Sequence, residues 1–503
     1  MALFSCAPRA LYTKILVLGS CLTLALLLYT VSLSSSPSFS FSSLRSSFSS
    51  SSSWPSWTSS QSKHAVSAAS CTPLAYSSGK WMYSPRTNQT ALVHPEDALS
   101  FAGFAGCASS REFYWHLASD NQGQWDRFPV VDSWKWDLSD TSCSIADDSS
   151  EYGFRDLERE KHKRQFVQDL VENGGWLVLG DSITEGHFFS ISCLLYPHVV
   201  ATPDYVKNPY FNRAWPQNLY LNPDSPLVSQ LSFPEGFNTT ETPLITFRRI
   251  DLLLSLEELV ELHKQKHSKD DNFGSNFTLF SNEAVWTMSP SQYVSDILLS
   301  PLPKGNYANL IVSTAGHWTT TMFSGYANDT DKADVEHHGE GIDGLIDFFG
   351  EAMEFWANQV QDTIMNDQTG VVLASGGRAR RQAMVRAYLP GHEDCHDHRK
   401  PWAEIEPMKW NWYNWGSIWK YNEIFETLLS KPDYPDIHYL SIDRPARLRP
   451  DAHATGDCLH IMAGAGVLEG WTEYIWHYAT YFTRERRVYS DLMRRQKSRI
   501  NRS

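Results

Sequence analysis

The chain has 503 residues, and its 42% hydrophobic content is enough to bury a core, which excludes global disorder. The 57 acidic and 43 basic residues give a formal net charge of −14. This charge argues against nucleic acid as the main partner, because phosphate binding requires a basic surface. The 19 tryptophans suit two roles, packing in a large core and stacking of indole rings on sugars.

The N-terminal segment predicts a membrane anchor. Residues 15–33 are mostly apolar and uncharged, and are long enough to cross a hydrocarbon core of about 30 Å as a helix. Arg9 and Lys14 precede this stretch without an acidic residue, so residues 1–14 are expected in the cytosol and the rest in the lumen. A cleaved signal peptide is the alternative, but the stretch is longer than a usual signal-peptide core. Ser-rich residues 34–70 predict a flexible stem.

Sequons and cysteines agree with a luminal location. The Asn-x-Ser/Thr sequons are at Asn88, Asn238, Asn276, Asn328 and Asn501. After the predicted anchor there are six cysteines, an even number that suggests up to three disulfides without fixing their pairing. These cysteines are Cys71, Cys107, Cys143, Cys193, Cys395 and Cys458. A zinc site is the alternative, but the sequence has no Cys-x-x-Cys pair.

The luminal part predicts an α/β domain with an N-terminal extension. Residues 71–150, rich in Cys and Trp, predict a loop-rich, disulfide-stapled subregion. In residues 151–480 short apolar runs, typical of buried strands, alternate with segments whose apolar residues have helical spacing. This alternation predicts a mainly parallel sheet covered by helices on both faces. Strands are predicted at 176–179, 310–313, 371–374 and 437–442, and helices at 252–263 and 342–365. The segment 481–503 is rich in Arg and Lys, which predicts a solvated tail. Contact of this tail with an anionic glycan or lipid is the alternative.

The strongest local signal is Gly180-Asp181-Ser182, which follows the predicted strand 176–179 and precedes a helix-compatible stretch from Glu185. This order places the Ser182 hydroxyl at the carboxyl edge of the sheet, where N–H groups of the next turn can bind an anion. Acyl transfer needs such an arrangement, because its tetrahedral intermediate carries an oxyanion. An ordinary N-cap serine is the alternative.

A nucleophilic serine needs a base, and the base needs an orienting acid. Asp457 and His460 are three residues apart, so the carboxylate can hold one imidazole nitrogen while the other faces Ser182. The chain order Ser, Asp, His is one that α/β hydrolases use. Taken alone, the Asp-x-x-His pattern is weak, and ordinary surface chemistry is its commoner meaning.

Together these motifs resemble the SGNH, or GDSL-like, hydrolase superfamily. They are more closely similar to its PC-esterase branch, the trichome-birefringence-like proteins of plants and their fungal relatives. The resemblance runs collinearly from about residue 71 to about residue 475 and favours a fungal-type member. Its blocks are Cys71 with Gly79-Lys80-Trp81, Trp134-Lys135-Trp136 with Cys143, Gly180-Asp181-Ser182 with Ser192-Cys193, Thr314 to Trp318, Arg386 to His392 with Cys395, and Arg449 to His453 with Asp457-Cys458-Leu459-His460.

The resemblance implies a three-layer SGNH-like fold and O-acetylation of a polysaccharide by a single-pass type II protein of the Golgi. Ser182 would carry the acetyl group, His460 would act as general base and then acid, and Asp457 would fix the histidine tautomer. No metal or cofactor is implied. An acetyl donor of unknown identity is required, and a membrane protein that delivers acetyl groups is an implied partner beside the glycan. The oxyanion or substrate candidates are Gly180, Asp181, Gly316 and His317.

The sequence also departs from the family. Glu185 and Gly186 stand where the plant proteins usually carry an Arg-Asn pair. Met462 stands near the place of a closing cysteine, which implies one family disulfide fewer. His317 follows Gly316 where many SGNH enzymes have Asn, and a buried structural histidine is the alternative to a functional one.

Two further clusters have open interpretations. Residues 391–398 are rich in metal-ligand types, but these crowd one loop and include a cysteine that the resemblance pairs in a disulfide. A run of tryptophans either lines a glycan groove or packs in the core. These are Trp410, Trp412, Trp415 and Trp419.

The sequence therefore favours a polysaccharide O-acetyltransferase. A polysaccharide acetylesterase would use the same acyl-enzyme with water as the acceptor. A non-catalytic protein that binds glycans or organises the cell wall is the alternative from a different class.

Overall fold

The computed structural model describes most of the chain beyond residue 70. The described residues are 71–85, 102, 104–109, 127–139, 141, 143, 160–205, 207–208, 212, 214–267, 277–327, 341–408, 412–453 and 457–482. The predicted cytosolic tail, anchor and stem lie outside them, as do nearly all of the basic tail and every sequon except Asn238. Within the described part, no helix combines the length and apolarity that a membrane crossing requires.

Helices and strands alternate through most of the described chain. The α-helices are α1 (Pro73–Ser77), α2 (Arg127–Val131), α3 (Glu160–Glu172), α4 (Ser182–Leu194), α5 (Leu256–His267), α6 (Ile342–Asn366), α7 (Ile418–Leu429), α8 (Arg444–Arg447) and α9 (Val467–His477). The strands are β1 (Lys80–Tyr83), β2 (Trp134–Asp137), β3 (Gly175–Gly180), β4 (Val199–Thr202), β5 (Gln217–Leu221), β6 (Pro243–Arg249), β7 (Tyr307–Ser313), β8 (Val371–Val372), β9 (Arg378–Ala379), β10 (Gln382–Arg386) and β11 (Ile437–Leu440). Segments of π-helix are Ser291–Leu298 and Tyr478–Phe482, and turns of 3₁₀ helix are Val228–Gln230, Ser324–Tyr326, Cys395–Asp397, Trp412–Ser417 and Pro450–Ala452.

A seven-stranded sheet forms the centre of the fold, with strand order β11-β10-β7-β3-β6-β5-β4. The five strands from β11 to β6 run parallel, and β5 and β4 are added antiparallel at one edge. All six residues of β3 are buried, as expected for a central parallel strand covered on both faces. The chain is therefore α/β with a mainly parallel sheet, and this architecture is compatible with the three-layer fold that the sequence predicts.

Three of the four predicted strands lie in the central sheet, and the fourth forms a short strand outside it. The runs at 176–179, 310–313 and 437–442 lie in β3, β7 and β11. The run at 371–374 instead contributes β8 to a hairpin with β9 outside the central sheet. Gly376 and Gly377 close this hairpin with φ angles of 81° and 86°, which side-chain-bearing residues rarely adopt.

The strand β10, which takes a place in the central sheet, was not predicted from the sequence, and neither were β4, β5 and β6. Two helix starts also differ from expectation. Helix α4 begins at Ser182 and not near Glu185. Helix α5 begins four residues later than predicted, because Ser255 and Glu258 form a reciprocal capping box, with N–H donors bonded to side-chain oxygens at 2.9 and 3.2 Å.

The N-terminal subregion is fastened to the C-terminal part of the chain. Its strands β1 and β2 form a small antiparallel sheet. The indole N–H of Trp81 donates to the carbonyl of Pro445 at 2.9 Å, and the Tyr474 hydroxyl donates to the carbonyl of Cys71 at 3.1 Å. Arg449, fully buried, donates to the carbonyl of Val131 at 2.7 Å. These buried bonds satisfy polar groups on both sides of the junction.

All six cysteines after residue 70 are paired, in three disulfides. The pairs are Cys71–Cys143, Cys107–Cys193 and Cys395–Cys458. This confirms the upper number that the cysteine count suggested and indicates an oxidising secretory or extracellular environment. The 395–458 bridge spans 63 residues and holds the segment that carries Asp457.

Loss of this last bridge should destabilise the protein. We expect the double substitution Cys395→Ser/Cys458→Ser to lower the free energy of unfolding by about 2–4 kcal/mol, because the unfolded chain regains the entropy of an open loop. Urea unfolding of both proteins measures the difference. Peptide mapping of the non-reduced wild-type protein is the control and should give the three pairs above; any other pairing contradicts the fold described here.

Candidate active site

Ser182 stands at the carboxyl edge of the sheet, as the first residue of α4. Gly180 ends β3 where a Cβ atom would lie 2.3 Å from Thr184 Oγ1 and 2.8 Å from the carbonyl oxygen of Ser313, so only glycine fits. Asp181 then caps the helix, its Oδ1 accepting from the N–H of Ile183 at 3.0 Å. The tight turn and the cap together lift the Ser182 side chain to the half-buried surface at the strand end.

The structure brings Ser182, His460 and Asp457 together. The Ser182 hydroxyl donates to Nε2 of His460, with 2.7 Å between the atoms. Nδ1–H of His460 donates to Oδ2 of Asp457 at 2.5 Å. Because a carboxylate only accepts, this bond fixes the proton on Nδ1 and leaves Nε2 free to take the serine proton.

The Asp457 side chain also shapes the turn that carries the histidine. Its Oδ1 accepts from the backbone N–H groups of Leu459 at 2.6 Å and of His460 at 2.9 Å. Burial opposes ionisation of this carboxyl group, but the hydrogen bonds and charge of His460 outweigh it and lower the pKa of Asp457 to about 2. Asp457 is therefore an anion at every physiological pH and can stabilise an imidazolium.

Asp181 and Gly316, two of the oxyanion or substrate candidates, meet at Tyr388. The Tyr388 hydroxyl donates to Asp181 Oδ2 at 2.6 Å, and it sits so close to Gly316 that a Cβ there would lie 2.0 Å away. Arg386 is buried below them with its guanidinium 4.0 Å from the centroid of the Trp471 ring. Burial lowers the pKa of Arg386 to about 10, opposed by the nearby Asp181 charge, so the arginine stays cationic.

His317, the remaining candidate, lies half-buried beside an acid that the sequence reasoning missed. Its Nε2 is 3.7 Å from Oδ1 of Asp251, a buried carboxylate that also accepts from Arg249 Nε at 3.1 Å. Burial raises the pKa of Asp251, and His317 and Arg249 oppose that rise. Arg249, which the sequence reasoning also missed, ends β6 in register with Gly180, and Asp251 follows it by two residues. Recognition of the apolar run Pro243–Phe247 as a strand would have placed them at this edge.

Glu185, in the first turn of α4, is buried. Its Oε1 accepts from the Gln217 amide at 2.7 Å, at the start of β5. An acidic side chain is thus held on the helix that begins with Ser182.

One buried carboxylate joins the helix of Ser182 to the loop that follows His460. Glu469 Oε1 accepts from the Ser190 hydroxyl at 2.6 Å and from the N–H of Gly464 at 2.9 Å. Its Oε2 accepts from the N–H of Gly466 at 2.9 Å. Because Ser190 belongs to α4, these three bonds fix the two partners of the serine–histidine contact relative to each other. We call this set the Glu469 clamp.

A second set of contacts reaches the turn that carries His460. Nδ1 of His392 lies 2.6 Å from Nε2 of His453, and Nδ1–H of His453 donates to the carbonyl of His460 at 3.1 Å. Nε2 of His392 lies 2.9 Å from the carbonyl oxygen of Arg447. Burial lowers the pKa of His392 to about 4 and that of His453 well below 6.5.

The metal-ligand types at 391–398 are organised around a disulfide. Among the described residues, one trio has ligand atoms close enough to hold an ion, namely Cys395, His396 and Cys458. Its two sulfur atoms are bonded to each other and cannot act as thiolate ligands. His396 Nε2 lies 3.6 Å from the Cys458 sulfur.

Comparison with known proteins assigns no family to the chain. No protein-family model matches it, and no curated protein matches it significantly. The functional inference therefore depends on the residues and geometry of the site.

Weakening the Glu469 clamp should impair Ser182 without unfolding the protein. In Glu469→Gln one acceptor oxygen becomes an amide donor facing an N–H group, so we expect about a tenfold slower reaction of Ser182 with a fluorophosphonate probe. Circular dichroism and urea unfolding follow the fold. Glu354→Gln, which affects only a surface pair with Lys431, is the matched control. Equal labelling rates in all three proteins would show that the clamp does not position the site.

The buried histidine pair should make the protein less stable in acid. The unfolded chain binds protons at pH near 6.5, whereas folded His392 binds one only near pH 4. Stability is therefore full above pH 6.5 and falls as the pH drops toward 4, by about 1.4 kcal/mol per pH unit for each such histidine. His392→Gln should reduce the dependence of the unfolding free energy on pH between 6.5 and 4 by about 1.4 kcal/mol per pH unit. It should leave the dependence between pH 7 and 8 unchanged.

Urea unfolding at a series of pH values measures both slopes. Identical wild-type and variant slopes between pH 6.5 and 4 would mean that His392 is not held neutral in the folded protein.

Proposed function

We propose that the chain is a serine-dependent O-acyltransferase that acetylates polysaccharide hydroxyls. The hydrogen-bonded series Ser182, His460, Asp457 at the carboxyl edge of a parallel sheet carries this proposal. The geometry supports nucleophilic catalysis because the Ser182–His460 and His460–Asp457 hydrogen bonds measure 2.7 and 2.5 Å. A base and an orienting acid held in this way activate a serine hydroxyl. The choice of acetyl groups and glycans rests on the family resemblance.

The first half-reaction acetylates the enzyme. His460 Nε2 takes the proton of the Ser182 hydroxyl while Oγ attacks the carbonyl carbon of an acetyl ester or thioester. N–H groups at the start of α4, with Gly316 and His317 as further candidates, would stabilise the oxyanion. The tetrahedral intermediate then collapses, the leaving group receives the proton from His460, and acetyl-Ser182 remains.

The second half-reaction transfers the acetyl group. A glycan hydroxyl gives its proton to His460 Nε2 and attacks the acetyl-serine carbonyl. Collapse of the new intermediate releases the acetylated sugar, and Ser182 Oγ regains the proton from His460. Asp457 stabilises the imidazolium in both halves. An esterase would follow the same steps with water as the acceptor.

The predicted anchor fits this function. A glycan-modifying domain on a Ser-rich stem would face the lumen of a secretory compartment, the Golgi by resemblance. The three disulfides require an oxidising environment of this kind. A non-catalytic glycan-binding protein is the second candidate, supported by the acidic Glu185 in place of the family's basic residue.

Trapping the acyl-enzyme tests the proposal. The purified full chain, incubated briefly with p-nitrophenyl acetate, should carry one acetyl group on Ser182 by peptide mass spectrometry. Ser182→Ala should lose the label and about 10⁶ in kcat, and Asp457→Asn about 10⁴, because the histidine then adopts the wrong tautomer. Ser229→Ala, at an exposed serine of a surface turn, is the control and should label normally.

The acceptor decides between transferase and esterase. With oligosaccharides present, a transferase yields acetylated sugar faster than acetate, and an esterase yields acetate at an unchanged rate. A folded wild-type protein that takes no label from activated acetyl esters would contradict both and favour the non-catalytic candidate.

A further inference from the structure

A cavity of about 380 Å³ has in its wall two residues, His392 and Asn422, that hydrogen-bond to segments of the proposed catalytic site. Its walls come from the segment after β10, including Pro390 and His392, and from the start of α7. Binding sites for small organic ligands occupy about 300–1,000 Å³ and combine apolar walls with a few polar groups. The size therefore suits one or two sugar rings. We call this space the indole cavity, after the three tryptophans Trp402, Trp415 and Trp419 that line it.

The three indole rings differ in exposure in a way that suggests a role for one of them. Trp415 is buried and packs over Gly391, and Trp402 lies edge-on to the His392 ring with 5.1 Å between centroids. Trp419, in the first turn of α7, is 52% exposed at the mouth of the cavity. Two rings thus build the wall, and the third presents a free apolar area on which the apolar face of a pyranose can stack.

The polar groups of the cavity point to an uncharged ligand. Arg447 Nη1 donates to Asp443 Oδ2 at 3.4 Å, so one cation and one anion already balance each other. Glu406 adds a further, exposed carboxylate. The sum is acidic, which repels uronic acids and phosphates. A neutral sugar is compatible, since its hydroxyls both donate to carboxylates and accept from a guanidinium.

Hydrogen bonds connect the cavity to the triad from two directions. Asn422 in its wall makes two bonds with the backbone of Tyr388, at 2.9 and 2.8 Å, and the Tyr388 hydroxyl bonds to Asp181 next to Ser182. The N–H of His392 donates to the carbonyl of Cys458 at 2.8 Å, within the turn from Asp457 to His460. A ligand in the cavity would therefore be held against the same segments that orient the nucleophile and the base.

We propose that the indole cavity is an acceptor subsite, which binds a neutral sugar unit stacked on Trp419 while a neighbouring hydroxyl is presented to acetyl-Ser182. The inference rests on the proposed function for its purpose, but sugar binding can be measured without catalysis. It makes Trp419 a specificity-determining residue that acts on acceptor affinity and not on formation of the acyl-enzyme.

Calorimetry on the full chain tests binding with a panel of neutral hexasaccharides, namely cellohexaose, xylohexaose, mannohexaose and chitohexaose. At least one should bind to the wild type and to Ser182→Ala with the same Kd. Trp419→Ala should weaken that binding about tenfold, and Trp419→Tyr should restore most of it, because the stacking face is kept. Tyr83→Ala removes an aromatic side chain of nearly equal exposure, 51%, outside the cavity and should leave Kd unchanged.

Hydrolysis of p-nitrophenyl acetate separates this proposal from the proposed function. Trp419→Ala should keep the wild-type rate of acyl-enzyme formation and raise KM for the saccharide acceptor about tenfold. Saccharide binding that depends on Trp419 in a protein without esterolysis would support the subsite and overturn the enzyme. Esterolysis with no binding of any panel member, or with binding that Trp419→Ala leaves unchanged, would overturn the subsite.

Discussion

The carboxylate of Glu469 is the constraint on which the site depends. Ser182 and His460 are 278 residues apart in the chain, and a hydroxyl–imidazole bond by itself is too weak to hold two such distant segments in register. Glu469 accepts three hydrogen bonds out of contact with water, one from α4 and two from the Gly464–Gly466 loop. A buried ion is stable only when such donors surround it, so the clamp has one favourable geometry.

The sheet edge supplies the remaining organisation. The ends of β3, β6, β7 and β10 bring Ser182, Asp251, His317 and Tyr388 to one rim, because parallel strands present all their carboxyl ends on the same side. Two carboxylates, those of Asp181 and Asp251, are held there by neutral or cationic partners. The proposed nucleophile thus lies beside two carboxylates whose orientation is fixed by their hydrogen-bond and ion-pair partners.

The closing segment of the chain serves both the triad and the indole cavity. The disulfide at Cys458 and the bonds of His392 and His453 hold the turn from Asp457 to His460, and the Glu469 clamp holds the loop that follows it. A turn held by several such bonds keeps its histidine in one orientation. Because His392 also lines the proposed sugar subsite, acceptor binding and catalysis would share this support.

The sequence by itself determined the α/β class, the strand that precedes Ser182, the triad candidates and the upper number of disulfides, because apolar periodicity and short-range spacing are local properties. Tertiary structure decided the rest. Whether the run at 371–374 or β10 enters the central sheet depends on pairing with distant strands. The residues of a short apolar run do not specify which strand it pairs with. Asp251, Glu469 and the cysteine pairs are likewise ordinary residues along the chain. They acquire their roles only where folding brings together segments tens to hundreds of residues apart, since hydrogen bonds and disulfides act over a few ångströms of space and not along the sequence.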